Sequence, residues 1–289
     1  MLASELTFLK YLESIRTEFL DTLFEGITML GEETIIIVLM AVVYFMFSKD
    51  LARKVFFITV VSLSANCLIK NFVKRPRPFT RGISCVRPDT ATGYSFPSGH
   101  TQTFATWSST FGFCLKKRWM VALSVILTLL VAFSRMYLGA HYPTDVITGA
   151  VLGMGFGYAG NIIYDKFQNK NKLYLTVLLL LTPFLVLFLI KPDAQYEDFF
   201  KLYGMFAGFI LSVVFEERFV KLDSHTSITK KILRIIICVV LALIIKEVLK
   251  ALFTVQLLRL SLALDAVRYF ILVFLILGLC PLILKKLKM

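Results

Sequence analysis

At 289 residues, with 57% hydrophobic side chains and a mean hydropathy of +0.77, the chain is too apolar for an ordinary soluble domain, where the apolar share is about 45–50%. A net charge of +13 is compatible with binding nucleic acid, but Lys and Arg sit in short clusters beside apolar stretches rather than along one face, so no nucleic-acid partner is expected. Cys67, Cys85, Cys114, Cys238 and Cys280 are odd in number and widely spaced, which argues against a disulfide framework or a zinc site.

In the first 30 residues, Phe8, Leu12, Ile15, Phe19, Leu23 and Ile27 recur at helical spacing, with Lys10, Glu13, Arg16, Glu18, Asp21 and Glu25 on other faces. This predicts an amphipathic interfacial helix, or the same helix packed on a bundle. No signal peptide is expected, because acids stand where a basic head is needed. Apolar stretches follow at 33–48, 54–70, 99–115, 119–137, 143–164, 173–190, 200–216, 232–250 and 266–284. A bilayer crossing takes roughly 20 apolar residues, so the pattern predicts an all-α, polytopic transmembrane bundle of about nine membrane helices. Lys246, Glu247 and Lys250 crowd the end of the stretch at 232–250 and suit an interfacial position.

Alternate connections carry Lys49, Arg53 and Lys54; Lys116, Lys117 and Arg118; Lys166, Lys170 and Lys172; Lys221, Lys230 and Lys231; and Lys285, Lys286 and Lys288. The positive-inside tendency assigns these to the cytoplasmic face. The opposite side holds 191–199, with Asp193, Glu197 and Asp198, and the turn at 139–144. It also holds the loop 71–95, whose Lys74, Arg75, Arg77, Arg81 and Arg87 run against the tendency and need another explanation. Glu32 and Glu33 read equally as interface anchors or headgroup contacts.

Three elements carry chemistry. The first is Lys70, six residues, then Arg77 and Pro78, with Pro76 and Pro78 restricting the backbone around Arg77. A guanidinium fork and a mobile ammonium suit a tetrahedral polyanion, although basic residues beside a membrane also meet lipid headgroups. The second is Phe96, Pro97, Ser98, Gly99 and His100 before an apolar helix. Ser98 is a candidate N-cap, and Gly99 lets a phosphate approach free backbone amides with His100 beside it. The third is Ser134 and Arg135, five residues, His141, three residues, and Asp145. Pro143 suits a first helical turn and leaves His141 in a bend with Asp145 one turn on, where a carboxylate can orient an imidazole. Two of the three histidines stand in these elements, and His225 reads as ordinary surface.

With these three motifs the chain resembles the type 2 phosphatidic acid phosphatase superfamily, which includes membrane lipid phosphatases, glucose-6-phosphatases and soluble vanadium haloperoxidases. The resemblance implies His141 as nucleophile, Asp145 as its orienting carboxylate and His100 as general acid. It implies Lys70, Arg77 and Arg135 as phosphate ligands, with Ser98 and Gly99 completing the cradle, and a reaction through a phosphohistidine without metal or cofactor. The division expected is an interfacial helix at 1–30, a catalytic membrane core at 31–165 and further transmembrane helices at 166–289 of unassigned role.

The function expected is a multi-pass membrane phosphatase with its site on the non-cytoplasmic face, among membrane lipids. Its substrate would be a phosphorylated lipid: phosphatidate, phosphatidylglycerol phosphate or a polyprenyl diphosphate. A glucose-6-phosphatase-like hydrolase, a phosphotransferase and a non-hydrolytic lipid or anion transporter are the alternatives. Gly155, Gly157 and Gly160 fit G-x-G-x-x-G but have no strand before them, so a dinucleotide site is not expected. Gly149, Gly153 and Gly157 suit close helix packing instead.

Overall fold

The computed structural model describes residues 2–223, 226–253 and 257–287. His225 and Lys288 lie outside the described residues. All regular structure among the described residues is helical. The chain divides into two compact units, Met1–Ile36 with Val61–Asp165, and Ile37–Val60 with Lys166–Met289.

The amphipathic segment at the start is two helices rather than one, α1 (Leu2–Ser14) and α2 (Glu18–Thr28). Thr17 breaks the run: its backbone is extended and its hydroxyl accepts from the Leu20 amide at 3.3 Å, a side-chain N-cap with Glu18 and Asp21 in the first turn after it. A short turn, Met29–Gly31, leads to α3 (Glu33–Val42), which ends in a wide turn at Val43–Phe47. The helices that follow are α4 (Lys49–Val73), α5 (Gly99–Leu115), α6 (Arg118–Tyr137), α7 (Pro143–Lys166), α8 (Lys170–Ile190), α9 (Glu197–Phe215), α10 (Ile228–Leu252), α11 (Leu258–Phe274) and α12 (Cys280–Lys286).

Among the described residues six segments are long and apolar enough to cross a membrane: Lys49–Arg81, Arg118–Tyr137, Pro143–Lys166, Lys170–Ile190, Ala194–Val220 and Leu258–Lys286. A bent pair, Glu18–Gly31 and Glu33–Phe47 at 55°, would make a seventh. The nine crossings expected from hydropathy therefore reduce to six or seven by length and composition. The helix α5 has 17 residues, and α10 carries Lys230, Lys231, Arg234, Lys246, Glu247 and Lys250.

In the first unit, α1 packs its Leu9 and Leu12 against Ile83 and Tyr142, and the Phe24 ring of α2 lies tilted with its centroid 4.4 Å from that of Tyr137 of α6. The strip Gly149, Gly153 and Gly157 brings α7 against the backbone of α5. A Cβ at those positions would lie 2.7 Å from the Ser98 carbonyl oxygen, 2.5 Å from that of Gln102 and 2.0 Å from the Ser109 hydroxyl. A buried polar ladder joins the later part of α4 to α5. Asn66 donates to Gln102 at 2.8 Å, Gln102 donates to the Ser62 hydroxyl at 3.0 Å, and Ser62 pairs with Thr106 at 2.8 Å. Such a ladder leaves buried polar groups satisfied and fixes the register of the two helices.

In the second unit α9 and α11 pack backbone to backbone. A Cβ at Gly204 would lie 1.9 Å from the Ala266 carbonyl, and one at Gly208 2.5 Å from that of Phe270. A charge cluster is buried here: Lys49 and Arg53 reach the two oxygens of Glu216 at 2.5 and 2.9 Å, and Arg53 also meets Glu217 at 2.8 Å.

Candidate active site

The sequence elements at 70–78, 96–100 and 134–145 converge in the first unit. The bend at 138–142 exists because α6 ends at Tyr137, Gly139 adopts a left-handed φ of 77°, and α7 begins at Pro143. A side chain at Gly139 would be doubly unfavourable, since its Cβ would also lie 2.2 Å from the Ser84 carbonyl.

This bend buries His141 among three partners. Its Nδ1 lies 3.4 Å from Asp145 Oδ2 and 3.5 Å from the Ser95 hydroxyl, and its Nε2 lies 3.1 Å from Arg77 Nη1. A guanidinium can only donate, so Nε2 is the accepting nitrogen and the ring proton belongs on Nδ1, towards the carboxylate. Burial comes first, then the positive charges of Arg77, Arg135 and Lys70, in holding the imidazole well below the usual histidine range and so neutral.

Asp145 is fully buried yet well supplied with donors. Its Oδ2 accepts from the Ser95 hydroxyl and from the Tyr142 amide at 2.9 Å, and its Oδ1 accepts from Arg75 at 2.7 Å. Its backbone carbonyl accepts from the Ser98 amide at 3.0 Å, which ties the start of α7 to the start of α5.

Arg77 and Arg135 donate to neutral groups. Arg77 donates to the carbonyls of Gly93 at 2.9 Å, Ala140 at 3.0 Å and Thr92. Arg135, fully buried, reaches the Thr28 hydroxyl at 3.1 Å, the Thr90 hydroxyl at 3.4 Å and the Thr90 carbonyl at 3.5 Å. Its Nε has no hydrogen-bond partner among the described residues, and neither has the buried Nε2 of His100. Lys70 points at the α5 N-terminus, where a Cβ on Gly99 would lie 3.8 Å from its Nζ.

Ser98 occupies the N-cap position of α5, but its hydroxyl pairs with Thr101 at 3.0 Å and does not cap an amide. That leaves the first backbone N–H groups of α5 available to an anion, the general property of a helix N-terminus. Lys70 thus approaches Gly99, Arg77 meets His141 and His141 meets Asp145, with the charges of Lys70, Arg77 and Arg135 acting on both His100 and His141, while the Ser98 side chain turns aside. Among the described residues no group of three or more His, Cys, Asp and Glu could hold a metal ion.

Five further participants were not singled out as site residues by sequence. Glu5, on α1, accepts from the Thr144 amide at 2.9 Å and from Arg75 at 2.5 Å. Ser95 holds Asp145, while Thr28 and Thr90 hold Arg135. Arg75 belongs to the anomalous basic loop, which was a usable signal; the others are common residue types in unremarkable surroundings.

The chain is similar to known proteins over most of its length. Residues 51–172 match the PAP2 superfamily, and residues 200–289 match the PAP2 superfamily phosphatase transmembrane extension. The chain is 39% identical over 79 residues to the undecaprenyl-diphosphatase of Sulfolobus acidocaldarius, covering 27% of this chain and 37% of that protein. It is 39% identical over 105 residues to the decaprenylphosphoryl-5-phosphoribose phosphatase of Mycobacterium tuberculosis, covering 36% of this chain and 56% of that one. The alignments thus span less than two thirds of these relatives. The crystal structure of the transmembrane PAP2 type phosphatidylglycerolphosphate phosphatase from Bacillus subtilis superposes with a TM-score of 0.51 at 22% identity, over 58% of this chain and 88% of that one, which establishes the shared fold. With two matches to one superfamily along its length and several helices able to cross a bilayer, the chain is a multi-pass membrane protein that belongs to the PAP2 superfamily.

Proposed function

We propose that the chain is a membrane phosphatase that hydrolyses the phosphate monoester or diphosphate of a lipid through a phosphohistidine, without a metal. The observation that carries this reading is the placement of His141, with Asp145 at Nδ1 and a phosphate-type arginine, Arg77, at the accepting Nε2. Nε2 forms the new bond to phosphorus while the bond to the leaving oxygen breaks, and His100 gives that oxygen its proton. Water then attacks phosphorus, the N–P bond breaks, and His100 takes the proton of the water. Phosphoryl transfer chiefly requires alignment and charge stabilisation, which Lys70, Arg77, Arg135 and the α5 amides supply with Ser98 and Gly99 at the helix start.

A lipid substrate is favoured by Phe72 and Val73, both exposed and immediately before the cationic loop, where acyl or prenyl chains can stay in the bilayer while a headgroup enters. The two relatives named above act, by their names, on polyprenyl compounds, and the same class is proposed here beside phosphatidate and phosphatidylglycerol phosphate. The site faces the non-cytoplasmic side, opposite the basic clusters. Residues 31–165 form the catalytic core, 1–30 lie at the membrane interface, and 166–289 add membrane helices.

The test is phosphate release by the purified full chain in detergent from phosphatidate, phosphatidylglycerol phosphate, a polyprenyl diphosphate and glucose 6-phosphate, with EDTA present. Release should survive EDTA and fall at least about 10³-fold in His141→Ala. Loss of release on adding EDTA, or an active His141→Ala, would overturn the mechanism. Release from glucose 6-phosphate alone would replace the lipid by a soluble substrate.

A further inference from the structure

The N-terminal helix reaches the His141–Asp145 pair through charged groups. Glu5 is buried on a helix whose Glu13 is only half-buried. Its Oε1 accepts from the Thr144 amide at 2.9 Å and the Thr144 hydroxyl at 2.7 Å, and its Oε2 accepts from Arg75 Nη2 at 2.5 Å. The other amino group of Arg75 donates to Asp145 Oδ1 at 2.7 Å and to Thr144 at 2.6 Å, with the guanidinium 4.0 Å over the Tyr142 ring. Glu5 therefore grips both the cation that faces Asp145 and the residue that precedes it.

We propose that Glu5 is a positioning residue for the reaction, balancing the charge of Arg75 so that the Asp145 carboxylate remains available to His141. This rests on the phosphohistidine reading above. The groups facing His141 are Arg77 and Ser95 from the loop, Arg135 of α6, Lys70 of α4, His100 of α5 and Asp145 of α7, so Asp145 is the acid in a surround rich in cations. With Glu5 ionised, the set Glu5, Arg75 and Asp145 presents net negative charge to an imidazole that becomes cationic when phosphorylated. With glutamine there, Arg75 and Asp145 neutralise each other and that support is lost. The helix has separate anchors: Glu13 accepts from the Ser84 amide at 2.9 Å, and Arg16 donates to the Tyr137 carbonyl at 2.9 Å. Docking of α1 and the charge on Glu5 can thus be separated.

The experiment compares Glu5→Gln, Glu5→Asp and Glu13→Gln in the purified full chain, by kcat, KM and the 15N spectrum of histidine-labelled protein, which has three histidines to assign. Glu5→Gln should lower kcat about tenfold with KM changed by less than about twofold, the scale of a lost supporting partner around a reactive group. It should move the His141 titration to lower pH, Glu5→Asp should recover part of the loss, and Glu13→Gln should match the unaltered chain. Equal losses in Glu5→Gln and Glu13→Gln would reduce the role to docking of α1. An unchanged kcat or an unmoved His141 resonance in Glu5→Gln would overturn the proposal. If the unaltered chain released no phosphate from any substrate, the phosphohistidine reading would fall on its own. The His141 resonance would then still decide whether Glu5 sets the charge at that ring.

Discussion

Arg53 in the second unit and Arg135 in the first are both cations withdrawn from water, and they differ in what holds them. Arg53 lies 2.9 Å from Glu216 and 2.8 Å from Glu217, with Lys49 on the remaining oxygen of Glu216, so the cluster closes on itself. Arg135 is held by two threonine hydroxyls and a carbonyl, and its Nε has no hydrogen-bond partner among the described residues. Burying a charge is costly unless it is matched, so a cation kept with neutral partners is stable in the fold only because the surroundings hold it there. The first arrangement joins helices; the second is suited to an anion that arrives later.

The largest expected effect falls on Arg135. Replacing it by glutamine should lower kcat/KM by about 10²–10³, the size seen when one transition-state donor is removed. Steady-state kinetics on protein shown to be folded checks this, and a folded variant with full turnover would place Arg135 with Arg53 as a purely structural cation. Next is Arg53→Ala, which leaves Glu216 buried without its closest guanidinium. It should cost about 1–3 kcal/mol in unfolding free energy, since Lys49 still pairs with Glu216, with most of that recovered when Glu216→Leu is added and Lys49 is replaced by Met. Denaturant unfolding in detergent reads it, and turnover per folded molecule should not move.

The smallest effect concerns pH. Because His141 is held well below the ordinary value of about 6.5, its 15N resonances should change little between about pH 7.5 and 6. A titration midpoint at the ordinary value would mean that burial and cations do not act on this ring. The same depression makes the unfolded chain bind more protons than the fold below the ordinary value, so its contribution to stability is complete above that pH and declines below it. For Glu5, burial raises the carboxyl, but hydrogen bonds from Thr144 and Arg75 outweigh it and leave it below its usual range. Its share of stability is therefore present above the usual carboxylate range and lost as pH falls through the depressed value.

The residues legible in the sequence share a physical reason. Lys70, Arg77, Arg135, His100, His141 and Asp145 carry charge or a lone pair at the ends of apolar helices, where such groups are expensive and stand out. Pro143 and Gly99 mark helix starts, and the structure places α7 and α5 there. Glu5 was hidden because its partner Thr144 lies 139 residues away, and nothing local to α1 distinguishes Glu5 from Glu13. The break between α1 and α2 was readable in principle, since Thr17 followed by Glu18 and Asp21 is a capping pattern, but the apolar period runs through it unchanged. Hydropathy counted nine crossings because it scores apolar stretches alone. The 17-residue length of α5 and the charges in α10 separate helix formation from the capacity to span.

The glycine strip of α7 has a bearing on how this protein tolerates variation. Gly149, Gly153 and Gly157 face the Ser98 and Gln102 carbonyls and the small side chains of Ala105 and Ser109, so no large side chain fits between the helix that carries His100 and the one that carries Asp145. A substitution scan scored by turnover would therefore rank three chemically inert positions beside the histidines. Scored by the amount of folded protein it would divide them, the glycines falling with abundance and the histidines leaving it intact.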